Sequence, residues 1–188
     1  MTRKDVLADA WHAISAEYSP AAKTRIEAYI QALCAWDNVH NLTAMGGPAE
    51  IVENLVVPSL GVADKLSGHK RLIDLGTGAG VPGLVAAMMF EGQQWILVER
   101  AKKKTVFLKR MVHQLALKNV KVEADDFRDI MIDETVDAIV SRGSAKLRDQ
   151  IALTRAWRAR GVPLYSVQTE RSLSESGLEA QGLRQEIS

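Results

Sequence analysis

Apolar residues recur at helical spacing through the first third of the chain and gather into short runs beyond residue 70. Val6, Leu7, Ala10, Trp11 and Ile14 share one helical face, and Ile26, Tyr29, Ile30 and Leu33 repeat the pattern. Between them Ser19-Pro20 supplies an N-cap and an N1 proline. Asn41-Leu42-Thr43 and Gly46-Gly47-Pro48 interrupt the rhythm, and a short helical segment spans roughly residues 49–66 before the turn at Ser67-Gly68. Five strands are then predicted, over 72–75, 95–98, 120–122, 136–140 and 162–167. Helices fill the intervals: Leu84–Met89, a segment marked by Phe107, Leu108, Met111, Val112 and Leu115, and a last one reaching about Trp157. Strands alternating with helices imply an α/β fold, a parallel sheet with helices on both faces. The uninterrupted apolar runs suit strands buried on both sides. Residues 1–66 read as an N-terminal helical cap and 67–188 as the α/β domain, packed as one compact unit.

Composition narrows the class. A chain of 188 residues with 47% apolar and 25% charged positions suits one globular domain. No run of 18 apolar residues occurs, and the start Met1-Thr-Arg-Lys-Asp lacks a signal-like apolar core, so a cytoplasmic protein is expected. Cys34 is the single cysteine, which excludes a disulfide framework. His12, His40, His69 and His113 show no metal-ligand spacing, so no metal is expected. The formal charge of +1 hides an asymmetry: residues 1–98 hold 7 Lys/Arg against 10 Asp/Glu, and residues 99–188 hold 17 against 13. Two segments carry the excess. One is Arg100, Lys102, Lys103, Lys104, Lys109 and Arg110; the other is Arg142, Lys146, Arg148, Arg155, Arg158 and Arg160. They read either as solvated helix faces or, if they converge, as a positive field for nucleic acid.

The densest chemical signal is Asp74-Leu75-Gly76-Thr77-Gly78-Ala79-Gly80-Val81-Pro82-Gly83, between the first strand and its helix. Open α/β sheets bind ligands at that carboxyl edge. Glu99 ends the second strand, where a carboxylate can accept both hydroxyl hydrogens of a ribose. A dinucleotide loop wants Gly-x-Gly-x-x-Gly, but Val81 stands at the third glycine, and no Gly-Lys-Ser/Thr follows. A nicotinamide dehydrogenase is therefore disfavoured. Asp74 followed by Gly76, Gly78 and Gly80 suits S-adenosylmethionine. After the third strand, Asp126 and Phe127 either grip an adenine or serve as an N-cap and a core residue. Arg142, after the fourth strand, either meets a ligand group such as a phosphate bidentately or forms a surface ion pair. Asn41 either shapes the pocket or caps a turn, and Trp36 and Trp157 either stack on bases or fill the core.

Trp36-Asp37-Asn38-Val39-His40-Asn41-Leu42-Thr43 resembles a signature of the RsmG/GidB family, bacterial methyltransferases of guanine N7 in small-subunit (16S) ribosomal RNA. The resemblance continues through Ile73–Gly83 with its Gly-Val-Pro-Gly, through Lys103, Lys104, Phe107 and Leu108, and through Leu117-Lys118-Asn119-Val120. It ends with Ser141-Arg142-Gly143-Ser144-Ala145-Lys146-Leu147, covering roughly residues 26–168. It implies a Rossmann-like class I S-adenosylmethionine-dependent methyltransferase fold. It also implies cofactor contacts from Gly76 and Val81, Phe127 and Arg128 beside the adenine, and Arg142 facing cofactor or substrate as the catalytic side chain. Guanine N7 is already nucleophilic, so such a reaction asks for orientation and no activating base.

This chain departs from the family pattern at three positions, where Glu53, Asn54 and Pro58 replace Arg, His and Asp. Gln168-Thr169 replaces Lys-Gly, and the chain stops at Ile187-Ser188, where the family continues into a strand hairpin. The expected consequences are an open sheet edge, with a monomer or a weak dimer through it. The alternative function is an S-adenosylmethionine-binding relative with lost or different acceptor activity.

Overall fold

A computed structural model describes residues 18–43, 45, 47–130, 135–143 and 145–167. The expected helix at Val6–Ile14, His12, Ser144, Gln168-Thr169 and the terminal Ile187-Ser188 lie outside the described residues.

Helix α1 spans Pro20–His40, with Ser19 Oγ accepting from the Ala22 N–H at 3.2 Å and Pro20 at its first turn. Asn41 ends it in the left-handed conformation, φ 50°, its N–H donating to the Asp37 carbonyl. Asn41 is therefore a C-cap, one of its two readings. Helix α2, Pro48–Ile51, passes without a break into a π-helical turn, Val52–Val56, and then into α3, Val57–Lys65. The sequence pattern predicts one plain helix there; the π turn is a departure, since a single extra residue per turn leaves no mark on a short apolar period.

The sheet consists of β1 (Arg71–Leu75), β2 (Gln94–Val98), β3 (Val120–Glu123), β4 (Ala138–Arg142) and β5 (Leu164–Val167). Their order is β3-β2-β1-β4-β5 and every pairing is parallel. Helix α4 (Gly83–Met89) follows β1, α5 (Lys102–Gln114) follows β2, and α6 (Leu147–Leu153) with α7 (Arg155–Arg158) follows β4. The order of strand addition reverses between β1 and β4, the switch point of an open α/β sheet.

Two cores lie on the two faces. Leu72, Leu97, Ala138 and Val140 pack with α1, α3, α4 and α5 on one side, so the N-terminal helices and the sheet share a single apolar cluster. Ile73, Leu75, Val98 and Ile139 pack with Trp157 on the other. Trp157 is core, and half-buried Trp36 stacks at a tilt on Phe107, with the Arg110 guanidinium over its ring.

Predicted boundaries move at β4, at the last helix and at β5, which begins at Leu164 where the apolar run predicts 162. β4 begins at Ala138 and runs to Arg142, two residues later than its apolar run suggests, because Asp137 instead accepts the Lys70 and Arg71 N–H groups at 2.8 and 3.1 Å. The last helix breaks at Thr154, whose hydroxyl donates back to the Gln150 carbonyl at 2.7 Å. Such back-bonding competes with the helix ladder.

Candidate functional site

The loop between β1 and α4 is held by side chains that the sequence marks as ligand contacts. Asp74 is fully buried; its Oδ2 accepts from Thr77 Oγ1 at 2.7 Å and from the Gly83 N–H at 2.8 Å. Its Oδ1 is buried with no hydrogen-bond partner among the described residues. Burial pushes the carboxyl up to about 6, against hydrogen bonds from Thr77 and Gly83 that pull it down. Asp74 thus staples the loop from beneath and does not line the cleft. Gly80 does not line it either: a Cβ there would sit 2.8 Å from Leu84 Cβ.

The remaining loop amides are largely committed. Gly76 and Thr77 donate to the Val98 carbonyl, and Gly80 and Val81 donate to the Thr77 carbonyl. Gly78, at φ 64°, donates to Glu99 Oε2 at 3.0 Å. That backbone conformation strains any residue with a Cβ, and above Gly78 the nearest neighbour of such a Cβ is Lys104 Nζ at 4.0 Å. The Ala79 N–H has no hydrogen-bond partner among the described residues. From below, the buried Tyr29 hydroxyl donates to the Ala79 carbonyl at 3.0 Å, tying α1 to the loop. Burial raises the Tyr29 hydroxyl well above its ordinary value, so it stays a donor.

A cleft of about 1460 Å³ opens above this loop at the carboxyl edge of the sheet. Gly76, Gly78, Val81, Glu99, Phe127 and Arg128, all expected cofactor contacts, line it together with Arg142. Glu99 is buried and already accepts the Gly78 and Ala101 N–H groups, one on each oxygen, with lone pairs left on both.

Asp126 lies outside the lining. It accepts from Arg128 Nε at 2.8 Å and Nη2 at 2.5 Å, and from Arg100 Nη1 at 3.2 Å. Those bonds from Arg128, its backbone N–H included, hold the Asp126 carboxyl well below the usual carboxylate range, with Arg100 adding to them. Asp126 therefore positions two cations at the cleft mouth, a role distinct from the adenine grip its position suggests.

Arg100 and Lys104 stand out in the sequence only as surface charge, yet both line the cleft. Thr77, Ala79 and Met45 line it as well, and nothing in the chain pattern marks Met45 for that place. Thr43 lines it through the Asn-Leu-Thr turn, which is pinned where Asp37 Oδ1 accepts the Thr43 N–H at 2.6 Å.

On the strand next to the one that carries the glycine loop, half-buried Arg142 ends β4 and donates from Nη2 to the Asn54 carbonyl in the π turn. Desolvation lowers its pKa from the ordinary value, while Tyr29 and Asp74 oppose that shift. A surface ion pair is not what the structure shows at Arg142. Its loop is braced by buried Gln150, which donates to the Ala145 carbonyl at 3.0 Å and accepts from Ser166 Oγ on β5 at 2.6 Å. Among the described residues no cluster of His, Cys, Asp and Glu could hold a metal.

The donor set of this cleft comprises one open loop amide, a carboxylate at the β2 edge, apolar Val81 and Phe127, and cations at the mouth. It complements a ligand with a carboxylate, a ribose diol and a flat base.

Comparison with known proteins agrees with that description. The family model for GidB, rRNA small subunit methyltransferase G, matches residues 22–179. A ribosomal RNA small subunit methyltransferase G from Dichelobacter nodosus is 39% identical over 128 residues, 68% of this chain and 61% of that protein. One from Neisseria meningitidis serogroup C is 31% identical over 154 residues, 82% of this chain and 74% of that one. The match thus spans less than two thirds of the length of several relatives, 61% in the first and 63% in one from Aliivibrio fischeri.

Among solved structures, a putative S-adenosyl-L-methionine-dependent methyltransferase from Methanococcus maripaludis shares the fold with TM-score 0.50 and 20% identity. That alignment covers 72% of this chain and 68% of that one. An O-methyltransferase from Thermotoga maritima does so with TM-score 0.51 and 18% identity, over 63% and 46%. The fold is the Rossmann-like class I methyltransferase fold.

Proposed function

This chain belongs to the rRNA small subunit methyltransferase G family, and from that membership we propose that it transfers a methyl group from S-adenosylmethionine to N7 of a guanine in 16S ribosomal RNA. The observation that carries the reading is the shared cleft: the glycine loop with Glu99 on one wall and Arg142 on the other.

When bound, S-adenosylmethionine supplies an electrophilic methyl group. Gly76, Gly78 and the open Ala79 amide would hold its tail, Glu99 would accept from the ribose, and Val81, Phe127 and Arg128 would flank the adenine. Asp74 and Tyr29 hold the loop in place from behind. The N7 lone pair of guanine needs no base to free it, so the protein's work is alignment and exclusion of water. Alignment alone is worth roughly 7–11 kcal/mol of barrier. Arg142 directs donors at guanine O6 and leaves the N7 lone pair free to attack. Lys104 and Arg100 at the mouth meet phosphates of the RNA.

No described helix is long and apolar enough to cross a membrane. The proposed rRNA substrate supports a cytoplasmic chain that works on the small ribosomal subunit or its RNA. Among the described residues β5 is a sheet edge, and weak pairing of two copies along it is the self-association we expect. A monomer over a wide concentration range in light scattering overturns that pairing.

A second reading keeps the cofactor but changes the acceptor. It is favoured by Asn54 and Pro58, which stand on the cleft wall in place of the family's His and Asp. One experiment separates the two: calorimetric binding of S-adenosylmethionine, followed by labelled methyl transfer to small subunits that lack the modification. Binding with transfer to a guanine supports the first reading; binding without it supports the second.

A further inference from the structure

Asn54 sits in the π-helical turn, Val52–Val56, and lines the same cleft as the glycine loop and Arg142. It is exposed, and its side-chain amide has no hydrogen-bond partner among the described residues. Its backbone is not free, because the Arg142 guanidinium is bonded to its carbonyl. That is the only hydrogen bond of the Arg142 side chain among the described residues, so its other N–H groups stay open. One bond therefore locks together a donor-only group and an amide that both donates and accepts, on the same wall of one cleft. π turns inside helices occur frequently at functional sites.

We propose that Asn54 is a specificity-determining residue that reads the acceptor base together with Arg142, a role resting on the guanine reading above. An amide alone reads a purine ambiguously, because it can rotate to offer either its N–H₂ or its oxygen. A guanidinium cannot: it only donates. Arg142 therefore demands an acceptor, which guanine O6 is and the adenine amino group is not. With O6 placed there, the Asn54 amide oxygen accepts from the neighbouring guanine N1–H. Adenine N1 carries no hydrogen and its amino group meets the guanidinium donor to donor. Neither Asn54 nor Arg142 occupies N7, as methylation there requires.

The test compares Asn54→Ala and the shape-preserving Asn54→Leu with the natural chain. Affinity is measured by calorimetry for a short RNA bearing the target guanine and for the same RNA with adenine in its place, with and without S-adenosylhomocysteine. The natural chain prefers guanine, and both variants lose at least tenfold of that preference while S-adenosylhomocysteine affinity stays within twofold. A preference retained in either variant, or a natural chain that does not discriminate, overturns the assignment. A natural chain that discriminates between the RNAs yet transfers no methyl group leaves the Asn54 assignment standing and overturns the proposed reaction.

Discussion

Arg142 is the residue at which wall and chemistry meet. Its guanidinium ties the cleft to the π turn, and in the proposed reaction it would supply donors to the acceptor base. Arg142→Ala is expected to cut methyl incorporation into unmodified small subunits about a hundredfold, equivalent to roughly 3 kcal/mol of transition-state stabilisation; wild-type incorporation contradicts that role. Asp74 makes a different prediction. Its carboxyl stands near 6 in the folded chain, above the 3.8 of an unperturbed aspartate. The folded state therefore holds that proton more tightly than the unfolded chain does. The resulting stability is present below about pH 4 and is lost as pH rises through about 6. Thermal melts from about pH 4 to 7 should show this fall in the natural chain and lack it in Asp74→Asn, and parallel curves count against it. Gly83 has no room for a side chain: a Cβ would lie 2.6 Å from Leu97 Cδ2 and 2.7 Å from Asp74 Oδ2. Gly83→Ala should cost about 1–3 kcal/mol in denaturant unfolding.

At the scale of elements, hydrogen bonds between helices and loops build the site. Tyr29 couples α1 to the glycine loop through one buried hydrogen bond. Tyr29→Phe leaves the Ala79 carbonyl without its donor, at a cost of about 1–3 kcal/mol. Its melting temperature and its S-adenosylmethionine affinity should fall together, and a loss of stability with unchanged affinity would break the link. Asn119, one of the residues carrying the family resemblance, has a structural explanation. It is buried and its amide donates to the Ala87 and Gln93 carbonyls, each at 3.1 Å, tying the end of α4 to β3. The strands and the long helices were legible in the chain because their apolar periods are strong. The π turn, the late start of β4 and the break at Thr154 were not: the first and last are local changes of backbone bonding that leave the apolar period intact, and the second accompanies a long-range bond to Asp137.

Across the whole molecule, the two basic segments do not form one continuous face. Arg100, Lys104 and Arg142 line the cleft at the carboxyl edge of the sheet. The chain then returns through α6 and α7, so Arg155, Arg158 and Arg160 precede β5 at the opposite edge. In the proposed reaction, RNA docking at the cleft would draw on the first segment and on Arg142 from the second. Replacing Lys102, Lys103 and Lys104 by Ala should lower the slope of log affinity against log salt by up to about one for each phosphate left unneutralised. Arg155→Ala with Arg158→Ala should leave it unchanged, and equal reductions in the two variants would contradict the division.

By itself the sequence determined the α/β alternation and marked the glycine loop, since periodicity and glycine spacing are local properties, while its motifs carried the family resemblance. Only the tertiary structure decided which marked residues face the cleft. It turned Asp74 and Gly80 inward and made Asp126 a brace for two arginines. It also set Asn54 against Arg142, 88 positions apart in the chain. Burial and long-range pairing set those roles, and neither is encoded in the spacing of neighbours.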